Sequence, residues 1–205
     1  MKTLLKKENN IKNVDEYVEN FLTENTLDRD SVLVKFDEFN KSVVNLKRYD
    51  VSIVIKDDLI EYLKEYINTI TSALNLQTDL TIKFDDDILK IHIDSDNNSI
   101  LIGKDGRMLN SMQVILKQTI KSQTDMNIKV YLDIADYKEK QNKEIEDLAR
   151  KIAEEVENTK ESVKLDSMNS YQRRLVHNVI SEYKNLTTKS EGEEPNRYVV
   201  VKYND

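Results

Sequence analysis

The sequence predicts an α+β protein of three small domains. Three observations carry that expectation. Apolar residues recur at helical spacing in some stretches and at every second position in others, and the two kinds of stretch alternate along the chain. The chain has 205 residues, more than one ordinary domain. Its three glycines and single proline are too few to mark linkers, so periodicity has to place the borders.

Val14, Tyr17, Val18, Phe21 and Leu22 lie at helical spacing, and strand-like runs follow at Val32–Phe36 and Asp50–Ile55. This predicts a small αββ domain over residues 1–56. Asp57 or Asp58 is placed to cap a second helix, with Ile60, Leu63, Ile67, Ile70 and Leu74 as its apolar stripe. Leu80, Ile82 and Phe84 alternate, as do Leu89, Ile91 and Ile93, and Asp85-Asp86-Asp87 between them reads as the turn of a hairpin. Ile100, Leu101 and Ile102 read as the end of a strand running into Gly103-Lys104-Asp105-Gly106. A helix over 107–124, with Met108, Met112, Ile115, Leu116 and Ile120 on one side, and a strand through Ile128, Val130, Leu132 and Ile134 complete a domain over 57–136.

The third domain, 137–205, opens with a long helix near Tyr137, whose buried face is expected at Ile145, Leu148, Ile152 and Val156. Ser162–Asp166 is a short extended piece. Asn169 has the signature of an N-cap, and Gln172 falls where a capping box needs it, so a helix should run from there to about Tyr183. Thr187–Glu191 and Tyr198–Tyr203 form a closing hairpin around Gly192 and Pro195.

Composition narrows the function. Net charge is −7, which disfavours a polyanion partner over most of the surface. A nucleic-acid site must then be a local basic patch. Cysteine is absent and there are only two histidines, so disulfides, a thiol nucleophile and a Cys/His zinc site are excluded. Residues 1–10 are too polar for a signal peptide, and no apolar run approaches ~18 residues, so a cytoplasmic protein is expected. No Ser/His/Asp arrangement or Walker-type lysine is present, so the expectation is a protein that is no enzyme and needs no cofactor. Asp94, Asp96, Asn98 and Asp105 match parts of a calcium-loop template, but Ser99 replaces its glycine and the run overlaps the Gly-x-x-Gly turn, so no metal is expected. Asp85–Asp87 reads as solvated.

Two constellations remain. Gly103 and Gly106 lack a Cβ, and the helix behind them offers unpaired N–H groups and a positive dipole end, a combination that suits a phosphate. Lys104, Arg107, Lys117 and Lys121 against Asp105 reverse the sign of the chain locally. A single strand could be clamped there by its backbone, with bases splayed over a neighbouring apolar groove. Arg173 and His177 are four apart and share a helix face, where a guanidinium and an imidazole suit phosphate and stacked bases. Arg174 stands beside them, Tyr171 is a stacking candidate, and Arg197 is a further phosphate contact. Glu191, Glu193 and Glu194 read as a solvated turn. A cationic His177 would make binding strengthen as pH falls through about 6.5.

Residues 57–135, with Ile-Gly-Lys-Asp-Gly-Arg-Met-Leu inside their element order, resemble a KH domain of the bacterial, type II-like kind. Met168-Asn-Ser-Tyr-Gln-Arg-Arg-Leu-Val-His177 followed by Ser190-Glu-Gly-Glu-Glu-Pro195 resembles the domain named for its Arg-x-x-x-His signature, the R-three-H domain. The pair in tandem is similar to the Jag family. That resemblance implies a single-stranded RNA-binding regulator of cell elongation and division, with single-stranded DNA as a second ligand class. It also implies a small single-KH partner protein and leaves homo-oligomers open; a membrane-associated cell-envelope protein is the partner expected for the first domain if that domain acts as a docking scaffold. The chain departs from the family in three places. Phe39–Arg48 contains no glycine where the family's opening domain has a Lys-Lys-Gly-Phe-type loop, Ser170 replaces a frequent proline, and Asp105 puts an acid in the clamp. The net charge and Asp105 also motivate an alternative, a protein-interaction scaffold acting through residues 1–56.

Overall fold

A computed structural model describes residues 4–41 and 46–204. It divides into two compact units, Met1–Ala135 and Asp136–Asp205. The first unit holds two three-stranded sheets and the second holds one.

The first sheet is antiparallel, in the order β1 (Leu5–Ile11), β3 (Leu46–Ile55), β2 (Val32–Lys41). Helix α1 (Val14–Asn25) starts at Asn13, whose side chain accepts from the N–H groups of Asp15 and Glu16. It buries Val18 and Leu22 against Val32, Val51 and Ile53. The αββ expectation missed β1. That strand reads Leu-Lys-Lys-Glu-Asn-Asn-Ile and leaves its middle five residues exposed, so it carries no alternation to detect. It is an edge strand studded with lysine, a pattern that blunts edge-to-edge association. Part of the glycine-free loop, residues 42–45, lies outside the described residues.

The second sheet runs β4 (Thr78–Asp85), β5 (Ile88–Ser95), β6 (Lys129–Ile134). β4 and β5 form the expected hairpin, and β6 is parallel to β5. A parallel neighbour needs a crossover, supplied here by α3 (Asn98–Ile102) and α4 (Arg107–Thr124). Residues 100–102 are therefore helical rather than a strand end. Their β-branched isoleucines suggest extended chain, but they belong to α3, which buries Leu101 and leaves Ile100 exposed. Helix α2 (Lys56–Ala73) begins without a side-chain cap, and Asp57 and Asp58 lie inside its first turn, where they favour the dipole. Its buried row is Leu59, Leu63, Ile67 and Thr71, which keeps Leu63 and Ile67 of the expected stripe and leaves Ile60 and Ile70 half-buried and Leu74 exposed. In α4 the buried row is Leu109, Met112, Leu116, Ile120 and Thr124, which leaves Met108 and Ile115 exposed. Both helices are apolar over a wider arc than a sheet can cover, and the sheet decides which edge of the arc stays wet.

The two sheets of this unit meet at a cleft of about 410 Å³ lined by Leu33, Val34 and Lys35 on one side and Asp125–Lys129 on the other. Lys35 Nζ donates there to the Asp125 carbonyl at 3.1 Å and to its carboxylate at 3.3 Å.

The second unit has α5 (Tyr137–Thr159), β7 (Val163–Ser167), α6 (Ser170–Ile180), β8 (Leu186–Glu191) and β9 (Tyr198–Tyr203), with antiparallel strand order β7-β9-β8. Its core joins Ala149, Ala153 and Val156 to Val176, Val179, Ile180, Leu165, Leu186, Val199 and Val201. The buried row of α5 thus contains small alanines, with Ile145 and Ile152 at its flanks and Leu148 45% exposed. A hydrophobicity stripe favours large residues. Close approach of two helices favours small ones. No helix among the described residues is long and apolar enough to cross a membrane.

The alanine row is testable by urea unfolding. Ala153→Leu should destabilise by about 1–3 kcal/mol through overpacking, whereas Leu148→Ala should stay within about 0.5 kcal/mol. The reverse ranking would mean that α5 is turned the other way.

Candidate nucleic-acid interface

The turn between α3 and α4 is shaped by backbone conformations that side chains resist. Gly103 has φ 69° and ψ 179°, a region open essentially to glycine alone. Its N–H donates to the Ser99 carbonyl at 2.9 Å and closes α3. A Cβ added to Gly103 would stand 2.8 Å from Met108 Cβ and 3.1 Å from Met108 N, so the close approach of the two helices also requires the missing atom. Asp105 (φ 54°) and Gly106 (φ 71°) are both left-handed. Gly106 is buried at the N-cap of α4 and brings no side chain to that helix's first N–H groups. Those donors and the dipole form a positive end with no acid in the first turn.

Lys104, Asp105 and Arg107 lie around this turn, and all three are exposed. Ile100 (44% exposed) and Met108 (37%) supply apolar surface on its two sides. Lys117 is also exposed but sits ten residues along α4, about 15 Å from Arg107 at 1.5 Å per residue. It belongs to a basic helix flank rather than to the turn. Asp94 accepts from the Asn98 side chain at 2.8 Å and Asp96 accepts from Gln77 N at 3.2 Å, so two of the three calcium-template acids take part in local hydrogen bonds.

In the second unit the expected capping box is formed: the Asn169 side chain accepts from Gln172 N, and Gln172 Oε1 accepts from Asn169 N, both at 3.0 Å. This fixes the start of α6 and with it Arg173. That arginine is 7% exposed. Its Nη1 donates to the Met168 carbonyl at 2.7 Å and pairs with Glu194 at 2.9 Å. His177, one turn on, has Nδ1 2.6 Å from Thr188 Oγ1 and Nε2 2.9 Å from Ser190 Oγ. The signature pair thus clasps α6 to the β8–β9 hairpin. Glu194, read from sequence as part of a solvated turn, is the counter-ion of Arg173 while remaining 59% exposed. Sequence reasoning missed Thr188, Ser190 and Glu194 as members of this cluster. The signal for the hydroxyls was their two-residue spacing, which puts both on one face of β8.

The other expected residues surround this clasp. Tyr171 is 56% exposed and its hydroxyl accepts from Asn142 at 3.3 Å. Arg174 is exposed three positions along the same helix. The Arg197 carbonyl accepts from Met168 N at 3.0 Å, and Arg197 Nε is buried without a partner among the described residues. Gly192 (φ 82°) lies under the Tyr198 ring, 3.2 Å from where its Cβ would stand. His177 titrates below its ordinary value, first because burial disfavours the imidazolium and second because Arg173 is near.

These folds define a tandem of two nucleic-acid-module architectures, a KH domain and then an R-three-H domain. The KH domain of KhpA/KhpB matches residues 58–134, and the R-three-H domain matches residues 143–203. The RNA-binding protein KhpB of Bacillus subtilis is 31% identical over 198 residues, 94% of this chain and 95% of that protein. KhpB of Clostridium symbiosum is 32% identical over 162 residues, 78% of this chain and 70% of that protein. The chain belongs to the KhpB family, also called Jag.

Two outcomes follow from the geometry. Gly103→Ala should cost about 1–3 kcal/mol in unfolding free energy, and more if Met108 cannot move aside. The lowered pKa of His177 means that the unfolded chain takes up this proton first as pH falls. Its contribution to stability is therefore full above about 6.5 and is lost as pH drops through the folded value. His177→Gln, which can still bond both hydroxyls, should flatten the fall of melting temperature between about pH 7.5 and about pH 5; an unchanged slope would assign that slope to other groups.

Proposed function

We propose that this chain binds single-stranded RNA and does not transform it. The observation that carries the reading is the α3–α4 turn. Glycine backbone, the free N–H end of α4, Lys104 and Arg107 converge there, with apolar Ile100 and Met108 alongside. A sugar–phosphate backbone can approach the bare turn while its bases lie on the apolar side. Asp105 lowers the positive charge of the clamp and keeps binding modest. The relatives named RNA-binding protein support the same ligand class.

In the second unit, Arg174, Tyr171 and Arg197 are the contacts we assign to the strand, and His177 adds a positive charge only below its lowered pKa. Arg173 shapes this surface through Met168 and Glu194. Only two residues, Ala135 and Asp136, separate β6 from α5, so the two modules are joined by a very short tether. The cellular role we attach to this activity is post-transcriptional control of elongation and division, in the cytoplasm, with a small single-KH protein as partner. Its support is the family relationship.

A second reading, protein docking through residues 1–56, is favoured by one observation. Phe36 is 55% exposed on the first sheet, edge-on to Tyr49 at 5.9 Å between ring centroids. Phe36→Ser should then abolish capture of a protein partner and leave RNA affinity unchanged.

The RNA reading is tested by titrating labelled oligonucleotides across a salt series. Log affinity should fall linearly with log salt, by about 0.7 per phosphate contact. Gly106→Asp should abolish binding, and Arg107→Gln, which leaves the turn intact, should reduce the slope by about one contact. No binding by the unmodified chain at low salt would overturn the proposal.

A further inference from the structure

The sheet of the second unit has two faces, and only one is used by its core. Val199 and Val201 point to α5 and α6 and are fully buried. The alternate residues of β9 therefore point the other way. The register sets Lys164 of β7 and Lys189 of β8 on either side of Val200. Lys202 and Tyr198 stand two positions to either side of Val200 along β9. Lys164 and Lys202 are exposed, and the Lys189 side chain is 73% exposed. Val200 is 9% exposed and stands outside the core cluster that holds Val199 and Val201, and the stems of neighbouring lysines can cover such an apolar residue. The Lys164 ammonium sits 3.9 Å from the centre of the Tyr198 ring. The acids in these strands are Glu191, 3.6 Å from Lys189, and Asp166 at the β7 bulge.

We propose that this outer sheet face is a second RNA-contacting surface, in which Lys164 and Lys189 take consecutive stretches of sugar–phosphate backbone and Tyr198 takes a base. The inference rests on the single-stranded RNA reading above and adds a site on the face opposite α6. Strands about 4.8 Å apart put the two lysine Cα atoms about 10 Å from each other across β9, a separation their long stems can adjust. The cation on the Tyr198 ring marks an aromatic face that attracts a flat or positive group. When a phosphate draws the Lys164 ammonium away, that ring face opens to a base. Stacking and phosphate contact are both indifferent to base identity. The site therefore adds affinity and length dependence rather than sequence preference. Gly192 belongs to the same device, because its missing Cβ lets the Tyr198 ring lie against the β8–β9 turn.

The experiment uses the full chain with fluorescein-labelled oligouridylate and oligoadenylate over a salt series, comparing Lys164→Gln/Lys189→Gln with the unmodified protein. The double variant should keep its melting temperature and lose about 1.4 from the log–log salt slope, about 0.7 for each contact, equally for both oligonucleotides. Ultraviolet cross-linking of the oligouridylate should place an adduct on Tyr198. Binding with an unchanged slope, or adducts confined to the α3–α4 turn, would overturn the second surface and leave the first intact. Failure of the unmodified protein to bind either oligonucleotide would overturn both.

Discussion

Much of the first unit hangs on the space that Gly103 leaves empty. The crossover that makes β6 parallel to β5 has to reverse direction within four residues, between a five-residue helix and an eighteen-residue one. With φ 69° and ψ 179°, Gly103 makes the reversal, and the absent Cβ lets Met108 come within van der Waals range of the turn. Where α4 starts, and so where its first N–H groups stand, is a consequence. The same bare backbone that permits the fold is the surface a phosphate can reach. Structure and binding capacity are therefore not separable at this position.

The second unit solves a different problem. Its core is small and rich in alanine and valine, and a polar clasp supplements it. Arg173 and His177 reach from one helix to a carbonyl, a carboxylate and two hydroxyls on other segments. A buried guanidinium is tolerated only when its donors are satisfied, and removing one partner strands the others. That explains why the signature couples residues far apart in sequence: the Arg-x-x-x-His helix face and the Ser190–Pro195 string are two halves of one hydrogen-bonded arrangement.

Much of this was legible in the sequence where local rules act. The capping box at Asn169 and Gln172, the β4–β5 and β8–β9 hairpins and the extent of α4 follow from short-range chemistry, and the structure has them. The failures share a cause. β1 carries no pattern because an edge strand need not bury its side chains. The buried rows of α2, α4 and α5 differ from the apolar stripes because the partner surface selects one edge of a broad apolar arc, and residue size near a close helix contact matters more than hydrophobicity. Residues 100–102 mimic a strand end because β-branching is a weaker guide than the pull of a neighbouring helix. At the candidate sites, Arg107, Arg174 and Tyr171 are exposed as a surface role requires. The burial of Arg173 and the partners of His177 depend on a hairpin that no local rule aligns with α6.

The link from Lys35 to Asp125 bears on how such a chain should be divided. The stretch that matches the KH family begins at residue 58, yet the folded unit that contains it begins with the first sheet. Leu33 and Val34 wall one side of a cleft whose other side, Met126 and Ile128, leads into β6. A fragment excised at the family border would therefore expose a raw apolar seam beside the last strand of the KH sheet and strip Asp125 of its ammonium partner. Homology draws one frontier and packing draws another, and a module transplanted along the first would arrive unsealed along the second.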